Sequence, residues 1–137
     1  MIFDSHAHYN DDRFSEDRDA VLAGLAEQNV GMVMNACAAM EEIEPILALA
    51  DKYPFLYASV GVHPHDTVTM TMQDLDTLRK AAHKKVKAIG EIGLDYFYDN
   101  SPREIQKEWF SRQLELAEEL NLPIIIHDRD AHKDTMD

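Results

Sequence analysis

Apolar positions along the chain follow two alternating patterns. Short dense runs, Ile2-Phe3, Met32-Val33-Met34, Phe55-Leu56-Tyr57-Ala58-Ser59-Val60, Val86-Lys87-Ala88-Ile89 and Ile124-Ile125-Ile126, carry apolar side chains on both alternate positions, as parallel strands covered on both faces do. Between them apolar residues recur at helical spacing: Val21, Leu22, Leu25 and Ala26; Ile43, Ile46, Leu47 and Ala50; and, more weakly, Met72, Leu75 and Leu78. The fourth helical stretch is the best marked. Ser101-Pro102-Arg103-Glu104 reads as a capping box with proline at the first helical position, followed by Ile105, Trp109, Gln113, Leu116, Ala117 and Leu120 and stopped by Asn121 and Pro123.

Five strands alternating with four helices, with no hairpin signal, predict a run of βαβ units. No Gly/Ser linker or low-complexity tract interrupts it, so residues 1–137 read as one domain. After Ile126 the chain reads HDRDAHKDTMD, a loop and the beginning of a fifth helix. Two α/β architectures accommodate five such units: an open doubly wound sheet, or the N-terminal part of a (β/α)8 barrel of about 250 residues.

Composition narrows the class. Apolar residues make up 45% and charged residues 28% of the chain, an ordinary globular balance. No apolar run is long enough to span a membrane, and the N-terminus lacks the basic-then-apolar order of a signal peptide. The one cysteine, Cys37, has no internal partner; the expectation is a cytoplasmic protein with no membrane partner. The 26 acidic against 13 basic residues give a formal charge of −13, which argues against holding nucleic acid through a broad basic surface.

The candidate chemistry lies at the strand ends. His6 and His8, two apart behind the first strand, share a face, an arrangement that lets two imidazoles grip one metal ion. His63 and His65 follow the third strand in GVHPHD, Glu91 follows the fourth in GEIGLDY, and His127 follows the fifth in IIIHDRD. C-terminal strand ends are where α/β proteins build active sites. Five of the seven histidines fall there, and only His83 and His132 do not. Imidazoles with a carboxylate suit zinc, manganese or iron better than a purely oxygen-ligated magnesium site. Each residue also has a plain reading: HxH as a polar turn, His63 and His65 capping a turn around Pro64, Asp95 as a solvated loop acid, and Arg129 paired with Asp128 or Asp130. Gly90 and Gly93 read as tight backbone turns, since no GxGxxG or P-loop pattern is present.

DSHAHY, GVHPHD, GEIGLDY and PIIIHDRDA, in that order along the chain, resemble the TatD family of metal-dependent deoxyribonucleases, within the amidohydrolase-type TIM barrels. The resemblance runs from end to end of the chain and implies an α/β fold: the N-terminal five βα units of a (β/α)8 TIM barrel, truncated. It implies two divalent metal ions, zinc, manganese or magnesium. His6 and His8 would bind the first, Glu91 would bridge both as the catalytic carboxylate, and His127 would bind the second. A histidine after the sixth strand and an aspartate after the eighth would complete the family's site. His63, His65, Asp95 and Arg129 match positions expected to bind substrate near the phosphate.

The implied reaction is phosphodiester hydrolysis by a two-metal mechanism, on DNA that is single-stranded or has an accessible end, with weak, salt-sensitive binding. Two positions depart from the family pattern: Asp128 where a small serine is usual, and Asn10 where an acid is expected. Two alternatives remain open. One is an amidohydrolase-type enzyme acting on a small amide, lactone or phosphoester, which the acidic surface favours. The other is an inactive fragment with partial metal binding, since a barrel cut after five strands leaves a sheet edge unpaired.

Overall fold

A computed structural model describes all residues, 1–137. Its strands β1 (Ile2–Ala7), β2 (Val30–Asn35), β3 (Leu56–Val60), β4 (Val86–Asp95) and β5 (Ile124–Arg129) pair in chain order, every pair parallel, in a curled half-barrel. Helices α1 (Arg18–Gly24), α2 (Ile43–Lys52), α3 (Met72–Ala81), α4 (Arg103–Leu120) and α5 (His132–Met136) alternate with them. No helix is long and apolar enough to cross a membrane.

The helical faces read from the sequence form the main core. Ile43, Ile46 and Ala50 of α2, Leu75 and Leu78 of α3, and Trp109, Phe110, Leu116 and Ala117 of α4 pack with Ala58 and Val60 of β3 and Val86, Ile89, Ile92 and Leu94 of β4. Leu22 of α1 joins Val33 and Leu56 in a smaller cluster. Asn121 ends α4 in the left-handed conformation, φ 52°, its N–H turned back onto the Ala117 and Glu118 carbonyls, which satisfies the last turn.

Coverage on both faces holds for β3 and β4 but not for the outermost strands: Ile2, Phe3, Ile124 and Ile126 are exposed, because β1 and β5 each have a neighbour on one side only. The capping box does not form either. Pro102 takes the N-cap position with no side-chain cap, and the wholly buried Ser101 hydroxyl instead donates to the His65 carbonyl at 2.9 Å and accepts the Val68 N–H at 3.0 Å. Buried loop groups outcompete the helix end for that hydroxyl. A helix-start carboxylate operates at α3, where Asp74 accepts the Thr71 N–H at 2.7 Å.

β1, β4 and β5 run past their apolar residues to Ala7, Asp95 and Arg129. Ladder hydrogen bonds need no apolar side chain, so these strands carry His6, Glu91, Asp95 and His127 within regular structure.

Candidate metal centre

Gly90 and Gly93 lie within β4, not in turns. Their φ angles are +154° and +144°. A Cβ at Gly90 would come within 2.7 Å of the Ile125 side chain and carbonyl, and one at Gly93 would overlap the His127 carbonyl oxygen. The glycines thus let β4 press against β5, which sets Glu91 beside His127. Glu91 is further held by its own N–H, which donates to the Cys37 carbonyl at 2.6 Å.

On one side of Glu91, Oε2 lies 3.2 Å from His6 Nε2 and 3.8 Å from His8 Nε2. The two nitrogens are 3.2 Å apart. His8 Nδ1 lies 2.9 Å from the Ala36 carbonyl oxygen; a carbonyl only accepts, so the proton rests on Nδ1 and Nε2 presents a lone pair. Two imidazole nitrogens and a carboxylate oxygen converge on one point, a donor set that suits a borderline divalent cation.

On the other side, Oε1 lies 3.1 Å from His127 Nδ1. His127 Nε2 and His65 Nε2 both reach Asp95 Oδ2, at 2.9 and 2.8 Å. Burial by itself raises the carboxyls of Glu91 and Asp95, but hydrogen bonds outweigh it and hold both at about 2: chiefly from His127 for Glu91, and from the Tyr98 N–H, His65 and His127 for Asp95. The His127 imidazole is shifted up, first by its hydrogen bond to Glu91. Because Asp95 takes the Nε2 proton, the Nδ1 proton is the one a cation beside Glu91 would displace.

His63 stands with Glu91 and His127, its ring centroid 4.2 Å from that of His127. Its Nδ1 accepts the His65 N–H at 3.1 Å. Burial holds its pKa down to about 4, so at neutral pH the ring is uncharged and its proton sits on Nε2. His63 lies close enough to serve as a ligand and, like His127, would release a ring proton to do so; Glu91, His127 and His63 are the candidate donors of the second group.

The remaining expected residues are placed differently from one another. His65 is half-buried beside the cluster, while Asp95 is wholly buried, with Oδ2 on two imidazoles and Oδ1 on the N–H groups of Phe97 and Tyr98. Asp95 therefore orients His65 and His127 and does not itself open onto solvent. Arg129 is exposed and pairs with neither Asp128 nor Asp130; it lies over the Phe97 and Tyr98 rings. Asp128 instead pairs with His132 at 2.9 Å, and Asn10 Oδ1 accepts from Asn35 at 3.0 Å. His83 stays outside the site, accepting the Lys85 N–H at 3.2 Å.

Three supports are harder to see in the sequence. Gln106 holds Asp95 by both backbone groups, Gln113 does the same for Val62, and Ser59 donates to the Gly90 carbonyl at 2.6 Å. Gln106 and Gln113 are seven apart on the buried face of α4, and a pair of amides on an apolar stripe is the signal that would have found them.

Comparison with known proteins agrees with the fold. A model of the TatD related DNase family matches residues 3–137. A metal-dependent hydrolase of Bacillus subtilis, YabD, is 42% identical over 99% of this chain and 54% of its own length. The protein named 3'-5' ssDNA/RNA exonuclease TatD of Cronobacter sakazakii is 36% identical over 96% of this chain and 50% of its own. The crystal structure of YjjV, a TatD homologue from Escherichia coli, superposes with a TM-score of 0.90 at 36% identity, covering 98% of this chain and 53% of that one. The chain spans about half the length of the curated relatives it matches. With the motifs, the half-barrel and these matches in agreement, the chain belongs to the TatD-related DNase family of metal-dependent hydrolases.

Proposed function

We propose that the whole protein hydrolyses phosphodiester bonds in nucleic acid, single-stranded or with an accessible end, using two divalent cations. One observation carries the reading: the Glu91 carboxylate is shared, Oε2 with His6 and His8 and Oε1 with His127. The donor set, imidazoles with one shared carboxylate, fits zinc or manganese better than magnesium. Bound there, such ions supply Lewis acidity toward a phosphoryl oxygen and a nucleophile from water near neutral pH.

The chain's own residues have separate tasks. His6, His8 and His127 present nitrogen donors, with tautomers set by the Ala36 carbonyl for His8 and by Asp95 for His127. His63 offers its Nε2 proton to an oxygen of the substrate. Asp95 holds His65 and His127 in register with Glu91. The relatives named 3'-5' ssDNA/RNA exonuclease support a nucleic-acid substrate.

The test is hydrolysis of single-stranded DNA with Mn²⁺, Zn²⁺ and Mg²⁺ in turn, by this chain and by one extended to the length of its relatives. We expect turnover abolished by EDTA and restored by metal in the extended chain, with little from the 137 residues alone. Inactivity of the extended chain with every metal would sink the reading. The charge of −13 favours a second one, a small phosphoester, amide or lactone, which a substrate panel separates.

A further inference from the structure

The loop between β4 and α4 carries two aromatic side chains that the core does not use. Phe97 is 57% exposed and Tyr98 51% exposed. Their rings meet edge to face, centroids 4.7 Å apart at 86°. The Arg129 guanidinium from the end of β5 lies over both, 4.7 Å from the Phe97 centroid and 4.8 Å from that of Tyr98.

Arg129 differs from the other arginines. Arg13, Arg79, Arg103 and Arg112 each hold a carboxylate, and Arg18 holds the carbonyls of Tyr9, Asn10 and Asp11. Arg129 alone has no protein acceptor for its guanidinium, in a chain with twice as many acidic as basic residues. A planar cation on aromatic faces, with every N–H free, is preorganised to accept a second flat π system and an anionic oxygen together.

The platform is tied to the candidate metal centre through one carboxylate. Asp95 Oδ1 accepts the N–H groups of Phe97 at 3.1 Å and Tyr98 at 2.8 Å, while Oδ2 holds His65 and His127. Tyr98 also meets the His65 ring edge to face, centroids 5.4 Å apart. The rings and the metal-facing imidazoles therefore keep a fixed relation.

We infer that Phe97, Tyr98 and Arg129 form a stacking subsite for an unpaired nucleobase flanking the phosphate at the metal centre, with Arg129 also donating to the strand backbone. This rests on the nucleic-acid reading above. An unpaired base exposes the π face that this surface takes, whereas a base inside a duplex has both faces covered. A cationic or purely apolar partner would leave the guanidinium without an acceptor.

The test measures binding of a single-stranded tetranucleotide carrying a terminal 2-aminopurine, against the same strand abasic at that position, without added metal so that no hydrolysis intervenes. The intact base is expected to bind roughly tenfold tighter than the abasic strand, with its fluorescence quenched by stacking. Phe97→Leu and Tyr98→Leu keep apolar bulk at exposed positions and are expected to bring the ratio of base to abasic binding close to one. Arg129→Lys retains the charge but not the plane, and lowers that ratio while preserving salt dependence. Equal binding of both strands by the parent chain, no binding of either, or an unchanged ratio in Phe97→Leu overturns the subsite. Hydrolysis is read separately, with metal, in the chain extended to the length of its relatives: base-dependent quenching with no hydrolysis by the extended chain supports the subsite and counts against the nuclease reading, and hydrolysis by the extended chain without base preference does the reverse.

Discussion

Asp95→Asn tests the reasoning about tautomers most directly. The substitution keeps shape and removes one charge. Its amide oxygen still accepts the Phe97 and Tyr98 N–H groups, now made by Oδ1 at 3.1 and 2.8 Å. Its NH₂ then faces His65 and His127, where Oδ2 stood 2.8 and 2.9 Å away. An NH₂ only donates, so His127 must turn Nε2 into an acceptor and keep its neutral-form proton on Nδ1, the atom beside Glu91. That tautomer cannot bind a cation through Nδ1. Partners behind a ligating histidine are typically worth about 10- to 100-fold in metal affinity, or about 1.4–2.7 kcal/mol. Calorimetric titration with Mn²⁺ should show that loss at the group containing His127, with the affinity of the group formed by His6 and His8 little changed. A loss confined to less than twofold at the His127 group would refute the assignment of Asp95 as the residue that sets the tautomer.

Gly93→Ala should cost about 3 kcal/mol of stability, read as a lower urea midpoint, because its Cβ meets the His127 carbonyl on a backbone that disfavours side chains; an unchanged midpoint would remove the close-approach argument. Cys37 is wholly buried and its thiol is pushed up to about 12 by desolvation, so at pH 8 only about one part in 10⁴ is thiolate, against about a quarter for a free thiol. DTNB should therefore leave the folded chain unlabelled and react on unfolding. In metal-free protein, Glu91 is depressed from 4.5 to about 2, so its contribution is complete above 4.5 and lost as pH falls through about 2. His127 is raised from 6.5, so its contribution is complete below 6.5 and lost as pH rises through its folded value. His63, held down to about 4, works the other way and withdraws stability as pH falls from 6.5, so the pair is isolated as the difference between melts of the parent chain and of Glu91→Gln. That difference should be largest between 4.5 and 6.5, and a flat difference would contradict the ionised contact.

Much of this was legible in the residues. The alternation of short apolar runs with helical stretches located all five strands, because buried parallel strands need apolar side chains on both faces. The helix at Arg103–Leu120 and its stop at Asn121 were legible for the same reason: periodicity and a left-handed cap are local properties. Strand ends were less legible. His6, Glu91 and His127 sit inside strands because hydrogen-bond ladders continue where the side chains turn polar. Local spacing could not reveal that Ser101 serves the His65 loop, or that Asp95 is shut away beneath its own turn. The Ser101 contact reaches 36 residues back to His65, and the imidazoles that close over Asp95 come from 30 and 32 residues away. The approach of His6 and His127 to opposite oxygens of Glu91 is likewise a product of sheet curvature, which no window of sequence encodes.

That convergence has a mechanical side. β1 and β4 are three places apart in the sheet, roughly 14 Å if it lay flat, yet His6 Nε2 and Glu91 Oε2 are 3.2 Å apart and separated by 85 residues. A cation gripping both would act as a clasp across the concave face, closing a long chain loop whose entropy is large in the unfolded state.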